Sequence, residues 1–250
     1  MSGITRKSPA EVALMRRAGA VVAEVLALVE ELAVPGASTA EIDAAAERHI
    51  LAAGASSNFK GYHGFPSVIC LSIDNEVVHG IPGEREIKLG ALVSVDAGAI
   101  IDGWHADAAR SFYVGEAPPE AARLIRVTRE ALDAGIAAAR PGTTIEEVSA
   151  AIEDVALGAK LGIVRPYVGH GIGRAMHEAP QVPNYRTGRK SLTLAPGHCL
   201  AIEPMLTLGS PEVGVMDDEW TVVTIDGGLA AHFEDSIAIT PEGSLLLTRP

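Results

Sequence analysis

The sequence predicts an α+β fold: two similar halves share a curved antiparallel sheet covered by helices. Three observations predict it. Asp96, in Leu-Val-Ser-Val-Asp, and Glu203, in Cys-Leu-Ala-Ile-Glu, stand 107 residues apart, as do His63-Gly64 and His170-Gly171. Pro35-Gly36 precedes Pro141-Gly142 by 106 residues, and Glu41, Glu47 and Leu51 are matched by Glu147, Glu153 and Leu157. In each half, helical patterns come first and β-branched segments follow. The period is too long for solenoids or propellers, whose repeats run to roughly 20–50 residues. The reading is one domain over residues 1–250, with an internal repeat of roughly 10–115 and 116–250 about an approximate twofold axis.

The first helix opens at Ser8-Pro9-Ala10-Glu11, which supplies an N-cap hydroxyl, a proline at the first helical position and a capping-box glutamate, and it stops at Pro35-Gly36. Ser38-Thr39-Ala40-Glu41 caps a second helix ending near Gly54, and Thr143-Thr144-Ile145-Glu146 caps its counterpart, which frays around 158–162. Another helix covers roughly 119–139. Strand-like segments are 67–73, 92–100, 106–113, 199–206, 220–224 and 231–239, and Asp102-Gly103 is a hairpin-turn signal between two of them.

At 250 residues and 48% hydrophobic, the chain can bury a large core. A formal charge of −12 argues against wholesale binding to nucleic acid or an anionic membrane, and bound cations would cancel part of it. Cys70 and Cys199 each lie in an apolar run, which fits buried thiols in a reducing compartment. The N-terminus from Met1 to Lys7 lacks the apolar core of a signal peptide, and no stretch reaches the roughly 18 apolar residues of a membrane span. The expectation is a cytoplasmic, monomeric protein.

Asp96 and Asp107 flank the Asp102-Gly103 turn, so a hairpin sets them side by side. Glu203 and Glu234 lie in strand-like segments of the second half, and His170 follows Gly169 in Gly-His-Gly-Ile-Gly. Any one acid among the 32 Asp and Glu residues is ordinarily a solvated side chain. Several on apolar strands are different, because unpaired buried carboxylates are very costly. Four carboxylates would balance two divalent ions, which in two-metal sites lie about 3.5–4 Å apart.

The motifs Gly-Tyr-His-Gly-Phe-Pro (61–66), Asn-Glu-Val-Val-His-Gly-Ile-Pro (75–82), Val-Asp-Ala-Gly (95–98), Gly-His-Gly-Ile-Gly (169–173), His177-Glu178, Ile-Glu-Pro-Met (202–205) and His232-Phe233-Glu234 complete the pattern. With them the chain resembles the type I methionine aminopeptidases, M24 metallopeptidases of the pita-bread fold, over nearly its whole length. The resemblance implies removal of the initiator methionine from nascent chains with a small second residue, by hydroxide attack at a dinuclear centre. It implies Asp96, Asp107, His170, Glu203 and Glu234 as metal ligands, with Asp107 and Glu234 bridging. Glu203 is then the general base, and His79 and His177 are non-ligand histidines at the scissile amide and at the carbonyl of the next residue. Tyr62, His63, Phe65, Cys70 and Trp220 resemble the substrate pocket, where ring edges and a thiol suit a thioether. Phe59 and Met176 stand where some relatives differ, which leaves the pocket's width open.

His49, His105, His198 and His232 read as structural, and His177-Glu178 lacks the second histidine of the H-E-x-x-H zinc motif. The donor set suits Mn, Fe or Co at least as well as Zn. Expected partners are nascent polypeptide N-termini, with transient ribosome contact through the domain surface, no membrane and no specific nucleic acid. Two other readings stand beside this one. An X-Pro dipeptidase or aminopeptidase of the same fold would usually carry a large extra N-terminal domain, for which Asp96 leaves no room. A non-catalytic binding protein of this fold would lack a ligand or His79.

Overall fold

Alternation along the central strands decides the architecture of the computed structural model, which describes residues 4–249; Met1–Gly3, part of the N-terminal segment read above, lie outside the described residues. On the strand Leu92–Ile101 the odd-numbered Val93, Val95, Ala97, Ala99 and Ile101 enter one apolar cluster, while Ser94, Asp96 and Gly98 face the other way. Side chains alternate faces along a strand, so this register exposes one sheet face to helices and reserves the other for polar chemistry.

Four helices cover the apolar face. Helices α1 (Pro9–Leu32) and α2 (Thr39–Ala52) pack Val22, Val25, Val29, Ile42 and Ile50 against the first-half strands. Helices α3 (Pro119–Ala138) and α4 (Ile145–Gly158) pack Leu124, Leu132, Val148 and Ile152 against Leu200, Ile202, Ile237 and Ile239. The main sheet runs Ser56–Ser57, Leu92–Ile101, Trp104–Tyr113, Glu234–Thr240, Cys199–Ile202, Gly169–Gly171 and Glu178–Val182. Ile69–Ile73 also joins the second of these strands, and Gly243–Leu246 joins the fourth. The α+β class and the helix-covered curved sheet are those expected.

Local signals are realised closely. Ser8 Oγ accepts from Glu11 N and Glu11 Oε2 accepts from Ser8 N at 2.8 Å, closing the capping box of α1. The box of α4 sits one residue later than predicted, on Thr144 and Glu147. Ser38 flanks α2 without a side-chain cap, its hydroxyl instead donating to Gly83 O at 3.2 Å. Asp102 and Gly103 both take positive φ, 51° and 74°, as a two-residue hairpin of matching twist requires.

The 106-to-107-residue offset reappears in hydrogen bonding. Gly36 N donates to Ile87 O, and Gly142 N to Leu194 O. Ile87 N returns to Ala37 O, and Leu194 N to Thr143 O.

Two predicted strands are broken. The 199–206 segment divides into Cys199–Ile202 in the main sheet and Met205–Thr207 in a smaller one. Pro204 has no N–H to donate, so the ladder cannot continue through it. The 231–239 segment likewise divides at Phe233 into Ala230–His232 and Glu234–Thr240, and Phe233 N donates to Pro204 O across the two breaks. In the 220–224 segment the strand is Val222–Thr224, leaving Trp220 outside it.

Candidate active site and metal centre

Four neighbouring strands of the main sheet, and the residue that directly follows a fifth, deliver the five predicted ligands. Asp96 and Asp107 lie on the two strands of the hairpin, and Asp107 is opposite Gly98, so both point to the polar face. Glu234 opens the next strand opposite Ala109, itself the partner of Asp96. Glu203 follows Cys199–Ile202 directly, and His170 is paired with Ala201 on the strand beyond. Directly opposed residues share a face. The register therefore points four carboxylates and an imidazole into one concavity.

Donor atoms of Asp107, His170 and Glu234 lie within 4.8 Å of one another, as do those of Glu203, His232 and Glu234. His170 Nε2 stands 3.6 Å from Glu203 Oε1. Asp96 Oδ1, Asp107 Oδ1 and Glu234 Oε1 are buried without a hydrogen-bond partner. Burial and then the Asp96 charge push Glu203 up to about 8. Burial pushes Asp96 up to about 7 against the hydrogen bonds it receives from Asp107 and Ala97 N–H. Asp107 and Glu234 are raised well above the carboxylate range by burial first and neighbouring acids second. Burial lowers His170 to about 4, the neighbouring His177 adding to the effect. Orphaned carboxylate oxygens beside a neutral imidazole are the donor set of a divalent-cation centre, so the residues fit the predicted metals.

The acids end in a cavity of about 190 Å³ that continues between Phe59, Tyr62, Phe65, Cys70, Met176 and Trp220. Phe65 meets Trp220 edge-on with centroids 5.1 Å apart, and Phe59 at 6.5 Å. His79 lines the same cavity in the left-handed region, with φ 62°, a costly conformation for a non-glycine residue. Burial first and His177 second bring it to about 4, so it is neutral at physiological pH. His177 lies at the mouth, its ring 4.3 Å from that of His170, and its Nδ1 is 2.8 Å from Tyr62 Oη. Its pKa is lowered by partial burial and then by His63.

His63 is the one predicted pocket residue that does not line the cavity: it is exposed, with its ring 4.4 Å from that of Tyr62. Tyr167, by contrast, lines the cavity edge-on to His79 at 5.5 Å, in a segment that carries no sequence signal. His232, read as structural, has Nε2 within 3.9 Å of both Glu203 and Glu234; its place immediately before Phe233-Glu234 is the signal that could have found it. Glu178 turns away from the cluster toward Lys7, in keeping with the absence of a zinc motif.

The sequence profile of metallopeptidase family M24 matches residues 13–241. The chain belongs to that family. This M24 chain is 45% identical over 243 residues to "Methionine aminopeptidase 1" of Bacillus subtilis, covering 97% of itself and 98% of the relative. It is 46% identical to the Mycobacterium tuberculosis protein of the same name, covering 98% of itself and 95% of that protein. The crystal structure of the Thermotoga maritima methionine aminopeptidase superposes with a TM-score of 0.97 at 40% identity, over 99% of this chain and 100% of that one. The prolidase of Pyrococcus furiosus shares the fold alone, with a TM-score of 0.79 at 20% identity over 99% of this M24 chain and 66% of the prolidase.

Proposed function

We propose that the chain is a metalloaminopeptidase that removes the initiator methionine from nascent proteins and peptides whose second residue is small. The observation that carries this reading is that an apolar pocket of aromatic rings, a thiol and a thioether opens directly onto the acid cluster in one cavity. Near-complete mutual coverage with methionine aminopeptidases favours it over X-Pro cleavage, for which only the fold is shared.

In this reading Asp96, Asp107, His170, Glu203 and Glu234 are the residues that would hold two divalent ions. Such ions supply Lewis acidity toward the scissile carbonyl and make an attacking water acidic near neutral pH. Phe59, Phe65, Cys70, Met176 and Trp220 enclose the methionine side chain and exclude water from it. Glu203, which faces the other acids across the cavity, takes the proton of the attacking water and passes it to the leaving amine. His79, neutral and held against Tyr167 and Trp220, donates a hydrogen bond beside the scissile amide. With Tyr62 donating to Nδ1 of His177, the proton of that neutral ring sits on Nε2, which donates to the carbonyl of the residue after methionine. The restriction to small second residues is what the resemblance implies, and a cramped wall at this point would impose it.

The donor set favours Mn, Fe or Co at least as well as Zn. A cytoplasmic monomer that meets nascent N-termini at the ribosome fits this substrate. No helix among the described residues is long and apolar enough to cross a membrane.

The test incubates metal-stripped protein, with and without Mn, Fe or Co, with Met-Ala-Ser, Leu-Ala-Ser and Met-Pro peptides, and reads products by mass spectrometry. Metal-dependent release of methionine, and of no other product residue, from Met-Ala-Ser is expected. Cleavage before proline without methionine preference, or no cleavage with any metal, would overturn the reading. In the same assay His177→Ala is expected to keep its metal content while kcat falls roughly a hundredfold, the scale of losing one donor to developing charge. Metal loss in that variant would instead make His177 a ligand.

A further inference from the structure

The chain entering α1 makes contacts that reach the active-site mouth. Lys7 is a charged residue with only 4% of its side chain exposed, and a buried ammonium must be paired. Its Nζ donates to Glu178 Oε2 at 2.7 Å and to Thr5 Oγ1 at 2.8 Å, and Thr5 Oγ1 donates to the same Glu178 oxygen at 3.1 Å. The backbone is fixed as well: Lys7 N donates to Gly197 O at 2.6 Å, and Arg6 Nε to Pro196 O at 2.7 Å. The segment Thr5–Lys7 is thus pinned to second-half loops, although most of the buried face of α1 packs on first-half strands.

Glu178 closes the other end of the arrangement. Its Oε1 accepts from Arg174 N at 2.7 Å and Ala175 N at 3.2 Å, folding the 174–178 loop onto itself. Burial alone would raise this carboxyl, but Lys7, Ala175 N–H and Thr5 outweigh it and hold Glu178 below its ordinary value. The loop between these anchors carries Met176, a wall of the apolar pocket, and His177. A side chain at Gly173 would collide with both partners, since its Cβ would lie 2.4 Å from Lys7 Cε and 2.7 Å from Glu178 Oε1. On the far side Arg174 stacks 4.1 Å over Trp104 and donates to Asp102 O at 3.1 Å. The mechanism proposed above uses neither Lys7 nor Glu178.

We propose that Lys7 is a positioning residue: through Glu178 it fastens the 174–178 loop so that His177 meets the substrate carbonyl and Met176 closes the pocket. The proposal rests on the aminopeptidase reading for its kinetic consequence but not for its structural one. Lys7→Met, which keeps the aliphatic stem and removes the charge, frees Glu178 and loosens the loop. Displacing a group by an ångström is enough to cost about a hundredfold in rate.

The experiment compares metal-loaded wild type, Lys7→Met and Lys7→Arg for metal content, kcat and KM on Met-Ala-Ser. It adds the imidazole NMR signal of His177, assigned by its loss in His177→Asn. Lys7→Met is expected to retain full metal, lose about tenfold to a hundredfold in kcat, and shift or broaden the His177 resonance, with Lys7→Arg recovering most of both. A Lys7→Met protein that melts earlier but keeps wild-type kcat and an unmoved His177 signal would overturn the proposal and leave the ion pair purely structural. Wild type that releases no methionine would refute the aminopeptidase reading, while the His177 signal would still decide the role of Lys7. If Lys7→Met does not fold, Glu178→Gln serves instead. Its amide oxygen still accepts from Arg174 N and Ala175 N, while its amide nitrogen replaces the charged acceptor toward Lys7 and Thr5, and the variant is judged by the same signal.

Discussion

Glu234→Ala is expected to lose tightly held metal and turnover together, by more than a thousandfold in kcat/KM, with the fold retained. Glu234 is 2% exposed, and its Oε1 has no hydrogen-bond partner. Its pKa is driven up by burial and then by Asp107, Glu203, Asp96 and Asp235, in that order. A carboxylate in such surroundings is tolerated when a cation answers it. It is also central: its strand lies between that of Asp107 and that of Glu203, so a bridging role has the register it needs. Removing it would take a donor from the proposed centre and leave the facing carboxylates with less mutual repulsion.

The diagnostic is the melting temperature with and without metal. A ligand that binds only the native state at about a hundred times its Kd stabilises by roughly 2.7 kcal/mol. Wild type is expected to gain in Tm on Mn addition, and Glu234→Ala to gain nothing while melting cooperatively without metal. Asp107→Ala should behave alike. A variant that keeps wild-type metal by elemental analysis, or wild-type turnover, would remove Glu234 from the centre.

Much of that centre was legible before any coordinates, because strand alternation is a local code. The Asp102-Gly103 turn fixes the hairpin, the hairpin fixes the register, and the register places Asp96 and Asp107 on one face. The 107-residue offset carried the same inference to Glu203, whereas His170, the repeat partner of the exposed His63, came as a ligand only from the family resemblance. The order of the strands was not legible: Gly169–Gly171 is too short and glycine-rich to show a strand period, and Glu178–Val182 carries a proline. Nor were the breaks at Glu203-Pro204 and Phe233, where the chain leaves one sheet for another; a continuous apolar run reads as a single strand until Pro204 is seen to interrupt the ladder. His232 and Tyr167 reach the site only through tertiary packing, and Lys7 meets Glu178 across 171 residues. Such contacts leave no periodic trace in the sequence.

Metal affinity is expected to rise by roughly 10²- to 10⁴-fold between pH 6 and pH 8, about one to two protons being released per ion bound. With Asp96 raised to about 7 and Glu203 to about 8, the metal-free centre holds protons in the neutral range that ligation must displace. The same displacement fixes the sign of the metal-free protein's own stability. A carboxyl whose folded pKa exceeds its unfolded one binds more protons folded than unfolded, so its contribution declines as pH rises from the unfolded value through the folded one. His79 and His170, lowered to about 4, and His232, lowered to about 3, act oppositely, adding stability as pH rises, but only up to their unfolded value near 6.5. Between about 6.5 and 8 the carboxylates act alone, and the metal-free fold weakens. A net change of ~2 kcal/mol would move Tm by roughly 4–8 °C in a chain of this size. Metal-free Tm should therefore fall from pH 6.5 to pH 8 while the Mn-bound Tm holds or rises, so the two curves diverge. Parallel curves, or metal titrations by calorimetry in several buffers that show no proton release at pH 7, would mean either that the metal-free cluster is already ionised or that the metal is held elsewhere.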